Sequence, residues 1–266
     1  MNKKRFYEAH TNFSQRTISE YLISPGIKCK FDLLKANIGS KINFKNGIDL
    51  GSSGNSFLYF LGNIAHRSTF DIAYLPLKQY SKINLKNSEN GVLNQFWHPI
   101  CGDLTRLPYR DKCFDFISAL DVLEHIKNDK MAISEISRVL KENGVAIITV
   151  PHRMENYTYQ DQLIGHYRRY EIEQIYSLFE KYDLKNIRTF GVYGKFMKIA
   201  DIQSVNPKKT EENLIKLRNW YGSNIIFRVF WDIIVNIGAK LMKIDAKYHS
   251  LKKVMNIAFI FKKQVK

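Results

Sequence analysis

The sequence predicts an α/β protein built on a doubly wound sheet, and three observations carry that expectation. Short apolar segments alternate with amphipathic ones along most of the 266 residues, as strands separated by crossover helices do. One such segment runs into a tight turn of small residues, Gly47-Ile-Asp-Leu-Gly-Ser-Ser-Gly-Asn55. Val145–Val150 is apolar without interruption and stops at Pro151, as a strand buried on both faces of a parallel sheet requires.

The elements follow in order. Ser24-Pro25-Gly26 reads as a turn, and Ile27, Phe31, Leu34 and Ile38 recur at helical spacing, predicting a helix packed on the front of the sheet. A strand at Gly47–Leu50, a helix at Ser56–Ala65 and a strand at Ser68–Ile72 come next. A helix near Leu77–Leu85 and a weak strand at Gln95–Cys101 lead to the strongly apolar strand Phe114–Leu120. Asn128–Leu140 places Met131, Ile133, Ile136 and Leu140 along a helix closed by Asn143-Gly144, before Val145–Val150. Tyr170–Lys181 reads as helix, Asn186–Val192 as strand and Met255–Phe261 as the last strand.

Gly194–Lys253 is too long for a loop and divides into helices at Lys208–Asn219 and Asn224–Ile244. The chain therefore parts into a helical segment (1–43), a core (44–193), a helical insertion or cap (194–253) and a final core strand (254–266). On the second inserted helix Arg228, Asp232, Asn236 and Lys240 stand at strict i+4 spacing, one narrow polar stripe on an apolar cylinder. Its Val, Ile, Leu and Phe side chains favour a bilayer by about 3–6 kcal/mol, whereas Arg228, Asp232 and Lys240 cost up to roughly 8–10 near its centre. A span is not expected.

A chain that is 45% apolar can bury one good core. Cys29, Cys101 and Cys113 have neither disulfide nor metal spacing, so a reducing, cytoplasmic setting and no metal centre are expected. The basic start, Met-Asn-Lys-Lys-Arg, lacks the apolar core of a signal peptide. The net charge of +16 is uneven: residues 1–45 carry 9 Lys/Arg against 3 Asp/Glu, 46–180 carry 14 against 16, and 181–266 carry 18 against 6. Basic flanks around a near-neutral core suit nucleic acid, anionic lipid or an acidic substrate, or reflect the abundance of lysine, asparagine and isoleucine.

The Gly47–Asn55 turn opens a mononucleotide-type βαβ unit. Small residues let a ligand approach the backbone, and a following helix would offer free N–H groups and its positive dipole end. Asp71, at the end of the next strand, could accept hydrogen bonds from two ribose hydroxyls. The Gly-x-Gly-x-x-Gly spacing of a nicotinamide dehydrogenase is not present.

Four ordered segments then carry a resemblance: Asp49-Leu-Gly; Gly102-Asp-Leu-Thr-Arg-Leu-Pro-Tyr; Phe114-Asp-Phe-Ile-Ser-Ala-Leu-Asp-Val-Leu-Glu-His-Ile; and Arg138-Val-Leu-Lys-Glu-Asn-Gly-Val-Ala-Ile-Ile-Thr-Val-Pro. Together they resemble the class I S-adenosylmethionine-dependent methyltransferases, specifically the type 11 domain, over about residues 44–193 plus the last strand. Gly165-His-Tyr-Arg-Arg-Tyr170 resembles a motif found after the fifth strand in a bacterial and archaeal branch of that family. The resemblance implies a seven-stranded, mostly parallel Rossmann-like methyltransferase sheet with the seventh strand antiparallel and the helical insertion before it. It implies S-adenosyl-L-methionine as cofactor. Asp49, Gly51, Ser52, Ser53 and Gly54 would meet the methionine part, Asp71 and Ile72 the ribose, Asp103 and Leu104 the adenine, and Ala119, Leu120 and Asp121 the sulfonium side. The family's repeated glycines are replaced here by Ser53 and Asn55, the latter a residue that tolerates positive φ.

Each assignment has a structural alternative: Asp49 and Asp71 as turn acids, Asp103 as a loop cap, Asp121 as the N-cap of the next helix, His125 as a hydrogen-bonded support. For an oxygen acceptor, His166 and His125 are the candidate bases; a carbon or amine acceptor does not call for one in the same way. His152, His166, Arg169 and Tyr170, with Arg168, follow the fifth strand on the ligand-binding side and are the candidate acceptor contacts. The inserted helices would roof the acceptor site if placed at the cofactor face. The apolar side of helix 224–244 must be covered by the domain, by a second copy in a homodimer, or by a lipid surface at the inner membrane face. The acceptor expected is thus a small molecule or a lipid- or glycan-linked group. An RNA methyltransferase ranks below it, since no dedicated RNA module accompanies the basic flanks, and a non-catalytic methyltransferase-like scaffold is the remaining alternative.

Overall fold

The computed structural model describes residues 3–9, 16–39, 43–62, 64–90, 96–196 and 207–265. Helix α1 (Lys3–Ala9), the short α2 (Glu20–Ile23) and α3 (Pro25–Ile38) precede strand β1 (Phe44–Leu50). Ser24-Pro25-Gly26, expected as a turn, instead starts α3: Ser24 Oγ accepts from Ile27 N and Pro25 sits in the first helical turn, where its missing N–H costs nothing.

The largest departure lies between β1 and β2 (Ile64–Asp71). The helix expected at Ser56–Ala65 is a single 3-10 turn, Phe57–Phe60. β2 begins four residues earlier than expected, because Ile64–Arg67 pair in parallel with Phe44–Gly47 and claim the chain a helix would need. The 3-10 turn also buries the sequence neighbours Phe57 and Leu58 together.

The remaining elements are α4 (Lys78–Glu89), β3 (Trp97–Cys101), β4 (Phe114–Leu120), α5 (Asp129–Val139), β5 (Leu140–Pro151), α6 (Tyr159–Leu163), α7 (Ile172–Glu180), β6 (Leu184–Tyr193), α8 (Pro207–Ser223), α9 (Ile225–Tyr248) and β7 (Asn256–Lys263). The expected start of β3 at Gln95 lies outside the described residues. The sheet order is β3-β2-β1-β4-β5-β7-β6, with β7 antiparallel to both neighbours and the other pairings parallel. The order reverses between β1 and β4, and a crevice opens there at the C-terminal strand ends.

Each face of the sheet has its own core. On one, α5 (Ala132, Ile133, Ile136) and α7 (Ile175, Phe179) cover Ile117, Ile148 and Phe259. On the other, α3 (Phe31, Leu34, Ile38), the 3-10 turn and Tyr80 cover Phe116, Ile147 and Ala258. At about 1.5–3 kcal/mol for each fully buried large apolar side chain, these two layers supply most of the driving force for folding. The inserted helix α9 packs outside α3 through Val235 and Ala239, with Gly238 letting Pro25 come close, and Trp231 Nε1 donates to Ile23 O at 3.0 Å.

Candidate functional site

A cavity of about 820 Å³ occupies the crevice, within the roughly 300–1,000 Å³ of small-molecule sites. At the β1–β2 end it is lined by Gly51, Ser53, Asp71, Ile72, Asp103 and Leu104. Gly51 has φ +68°, and a Cβ there would collide with the Val122 side chain, so this glycine is required. Positive φ falls next on Ser53 (+48°), not on Asn55, at a cost of about 1 kcal/mol or more. Ser53 N donates to Asp71 Oδ2 at 2.8 Å and Ala73 N to Oδ1 at 2.8 Å, fixing the carboxylate at the cavity wall. Burial raises the Asp71 carboxyl above the ordinary range despite those bonds. Asp103 Oδ1 accepts from Thr105 N (2.9 Å) and Oγ1 (2.8 Å), so it both caps its turn and lines the cavity.

Asp49 is placed differently from the expectation. It does not line the cavity but is 2% exposed inside the fold, accepting from Ser118 Oγ (2.6 Å), Ser56 Oγ (2.8 Å) and Phe57 N (2.9 Å). Burial, opposed by these three donors, lifts it to about 6. Ser52, Gly54 and Ala119 also lie off the cavity wall. Gly54 packs against the Arg16 carbonyl, which a Cβ would strike. With a 3-10 turn in place of a helix, the dipole expected at this loop is missing. Arg16, which sequence reasoning passed over, is half-buried at the same cavity wall, within electrostatic reach of Asp71, Asp121 and Glu20.

At the β4–β5 end, Asp121 leaves β4 with φ +54°. It caps no helix: the next segment is the 3-10 turn Leu123–His125, and α5 starts only at Asp129. Asp121 Oδ2 pairs with Lys30 Nζ of α3 at 2.6 Å, while Oδ1 accepts from Thr149 Oγ1 (2.8 Å) and Asn256 Nδ2 (2.7 Å). Burial pushes this carboxyl up, but the Lys30 ammonium and the two hydrogen bonds outweigh it and hold it at about 2. Its folded value thus lies below the unfolded one of about 4, so the stability it contributes is present above pH 4 and lost as pH falls toward 2. The gap in urea midpoint between wild type and Asp121→Asn is expected to be wide at pH 6 and to narrow between pH 4 and 2.

Glu124, His125, His166 and Arg169 also face the cavity. His125 Nδ1 lies 2.9 Å from the hydroxyl of Tyr7 on α1, which reaches over the site. His166 Nδ1 bonds Asp161 Oδ1 at 2.7 Å, and Arg169 clasps the same carboxylate at 2.9 Å. Two of the four candidate acceptor contacts are elsewhere. His152 is buried with Nδ1 3.2 Å from Val254 O, and Tyr170 is a core residue whose hydroxyl donates to Asp129 Oδ2 at 2.9 Å. The two residues instead face each other in an isolated parallel bridge beside the end of β5. Of the insertion, α8 lines the cavity through Leu214 and Arg218, the latter paired with Glu20 at 2.7 Å, whereas α9 lies on α3 and does not reach the site. Lys30, Asn256, Arg218 and Tyr7 were missed because they come from elements far apart in sequence and carry no motif.

Residues 48–148 match the family model described as a methyltransferase domain. An uncharacterised protein of Methanocaldococcus jannaschii is 34% identical over 87 residues, 32% of this chain and 38% of that relative, so the match spans well under half of its length. Among solved structures, phosphoethanolamine N-methyltransferase 2 of Haemonchus contortus, bound to phosphomonomethylethanolamine and S-adenosylhomocysteine, superposes with TM-score 0.64 at 15% identity over 100% of this chain and 61% of that one. The N-methyltransferase NodS of Bradyrhizobium japonicum gives 0.55 at 13% identity over 71% and 91%. The [4+2]-cyclase SpnF gives 0.57 at 17% over 89% and 80%. These likenesses show the fold, and that one fold serves more than one reaction.

Proposed function

We propose that this chain, whose residues 48–148 match a methyltransferase domain, is a class I S-adenosylmethionine-dependent methyltransferase that transfers a methyl group from S-adenosylmethionine to an acceptor held at the β4–β5 end of the cavity. The observation that carries the reading is the position of Asp71: a carboxylate at the end of β2, one strand from the Gly51–Ser53 loop, where two ribose hydroxyls can share it. Asp103 and Leu104 supply the adenine end. Leu120 and Asp121 lie along the sulfonium side. Methyl transfer is an in-line displacement, for which the protein supplies alignment and exclusion of water. His166 and His125 are placed to take a proton from an oxygen acceptor, and Arg169 and Asp161 fix His166. Isothermal calorimetry with S-adenosylhomocysteine tests the reading; no heat at millimolar ligand would remove it. An acceptor screen with labelled cofactor over lipids, glycans, small molecules and tRNA then sorts substrates.

Arg16 replaces the missing helix dipole in this reading, offering its guanidinium to the methionine carboxylate. Arg16→Ala is expected to weaken S-adenosylhomocysteine about tenfold, with adenosine, which lacks the carboxylate, hardly affected. Equal losses for both ligands would assign Arg16 to loop packing instead.

A lipid-linked acceptor is favoured by α9. Ile226, Phe230, Ile233, Ile237, Leu241 and Ile244 form a continuous stripe on its outer side, each 43–80% exposed. Lys240, Lys247, Lys252 and Lys253 are exposed alongside or just beyond it. No helix among the described residues is long and apolar enough to cross a membrane. Such a helix lies in the interface of an anionic bilayer. Pelleting with phosphatidylglycerol vesicles is expected for wild type and lost in the double variant Phe230→Glu, Ile237→Glu. Vesicle-independent dimerisation abolished by the same change would assign the stripe to a second copy.

A further inference from the structure

The β4–β5 end of the cavity holds one carboxylate, Glu124, to which methyl transfer as described gives no role. Glu124 is fully buried, and neither carboxylate oxygen has a hydrogen-bond partner among the described residues. An ionised carboxylate so placed has no hydrogen-bonded counter-charge, since Lys30, the nearby cation, is paired with Asp121. A protonated one would need an acceptor for its O–H, and His166 Nε2, at 3.8 Å, is beyond hydrogen-bond range.

The surroundings converge on the same point. One ring nitrogen each of His125 and His166 and one Glu124 oxygen lie within 4.8 Å of one another. The two imidazoles meet edge to face, centroids 4.5 Å apart. In the neutral His166 ring the Nδ1–H donates to Asp161, which leaves the Nε2 lone pair turned toward Glu124. A second carboxylate orients a metal-binding imidazole in this way. Asp161 is itself fixed by Arg169 and by Thr158 N at 2.8 Å. The spacing is set by backbone as well as side chains: Glu124 and His125 share one 3-10 turn, and Tyr167 N, next to His166, donates to Glu124 O at 2.8 Å.

The geometry points to a binding site for a divalent first-row transition cation, held by Glu124, His125 and His166 at the acceptor side of the cavity. Two imidazole nitrogens and one carboxylate oxygen suit Zn²⁺, Co²⁺, Mn²⁺ or Fe²⁺, whereas Mg²⁺ and Ca²⁺ prefer all-oxygen sets. Small rotations of the side chains bring donors at this separation to the roughly 2.0–2.2 Å such ions require. The positions left open face the cavity, where a hydroxyl, carboxylate or phosphate oxygen of the acceptor would complete the coordination and be polarised by the ion. This last step rests on the methyltransferase reading; the cation site itself does not.

Full-length protein, stripped with chelator and dialysed, is titrated with Co²⁺ by visible absorption and with Zn²⁺ by calorimetry. One ion per chain is expected at micromolar concentration, with d–d bands of a site containing nitrogen donors. Glu124→Gln and His166→Ala, checked for folding by their melting temperatures, should each weaken binding tenfold or more. Failure of the wild type to bind either ion up to about 1 mM overturns the proposal even if a variant does not fold. Binding left unchanged in both variants also overturns it, placing the ion elsewhere, for instance between His66 and His98. S-adenosylhomocysteine titrated into the same stripped wild type reports separately on the nucleoside end, so either reading can fail alone.

Discussion

Asp71→Ala is expected to raise the dissociation constant of S-adenosylhomocysteine by about one to two orders of magnitude, or about 1.4–2.7 kcal/mol. The carboxylate is fixed by Ser53 N and Ala73 N, and it faces the cavity at the strand end. Hydrogen bonds to a charged acceptor carry more than neutral ones, and preorganisation means little entropy is lost when the ligand arrives. Asp71→Asn retains the shape and one acceptor oxygen and should fall between. Calorimetry on the three proteins decides. An unchanged affinity in Asp71→Ala would mean that the nucleoside lies elsewhere, and the proposed reaction would lose its main support.

Asp49→Ala should have the largest effect on stability, about 3–5 kcal/mol by urea denaturation, out of a typical 5–15. Ser118 Oγ, Ser56 Oγ and Phe57 N all donate to this one buried carboxylate, and removing it strands donors where water cannot reach them. The pH dependence has the opposite sign to that of Asp121. The folded Asp49 carboxyl, at about 6, lies above its unfolded value of about 4. Its contribution is therefore complete below pH 4 and declines as pH rises through 6. Asp49→Asn, which cannot titrate, should flatten that part of the profile. If Asp49→Ala leaves the urea midpoint in place but abolishes S-adenosylhomocysteine binding, Asp49 belongs to the ligand and not to the fold.

These two acids stand at the ends of adjacent strands, and their separation into different roles shows what a sequence can and cannot convey. Both follow apolar strands and precede turns, so both read as ligand acids. Which one reaches the cavity depends on the direction of the side chain at that register and on what the following chain offers. Asp49 is met by Ser56 and Phe57 because the chain after β1 makes a 3-10 turn rather than a helix. That outcome was hidden too: Ser56–Ala65 has good helical spacing, and only the pairing of Ile64–Arg67 with β1 removes the residues a helix would use.

By itself the sequence determined the strand and helix succession outside Ser56–Ala65, the apolar central strands, the Gly51 turn and Asp71, since each rests on local periodicity or on one residue's conformational needs. The sheet order, the antiparallel β7 and the domain type came through resemblance to a family. Only the tertiary structure decided the site's charges: Lys30 from α3 on Asp121, Arg16 beside the loop, Arg218 on Glu20, and the meeting of Glu124 with His125 and His166. The reason is physical. Burial and Coulomb interaction depend on distance in space, and residues separated by ninety or two hundred positions leave no trace of their proximity in spacing or composition.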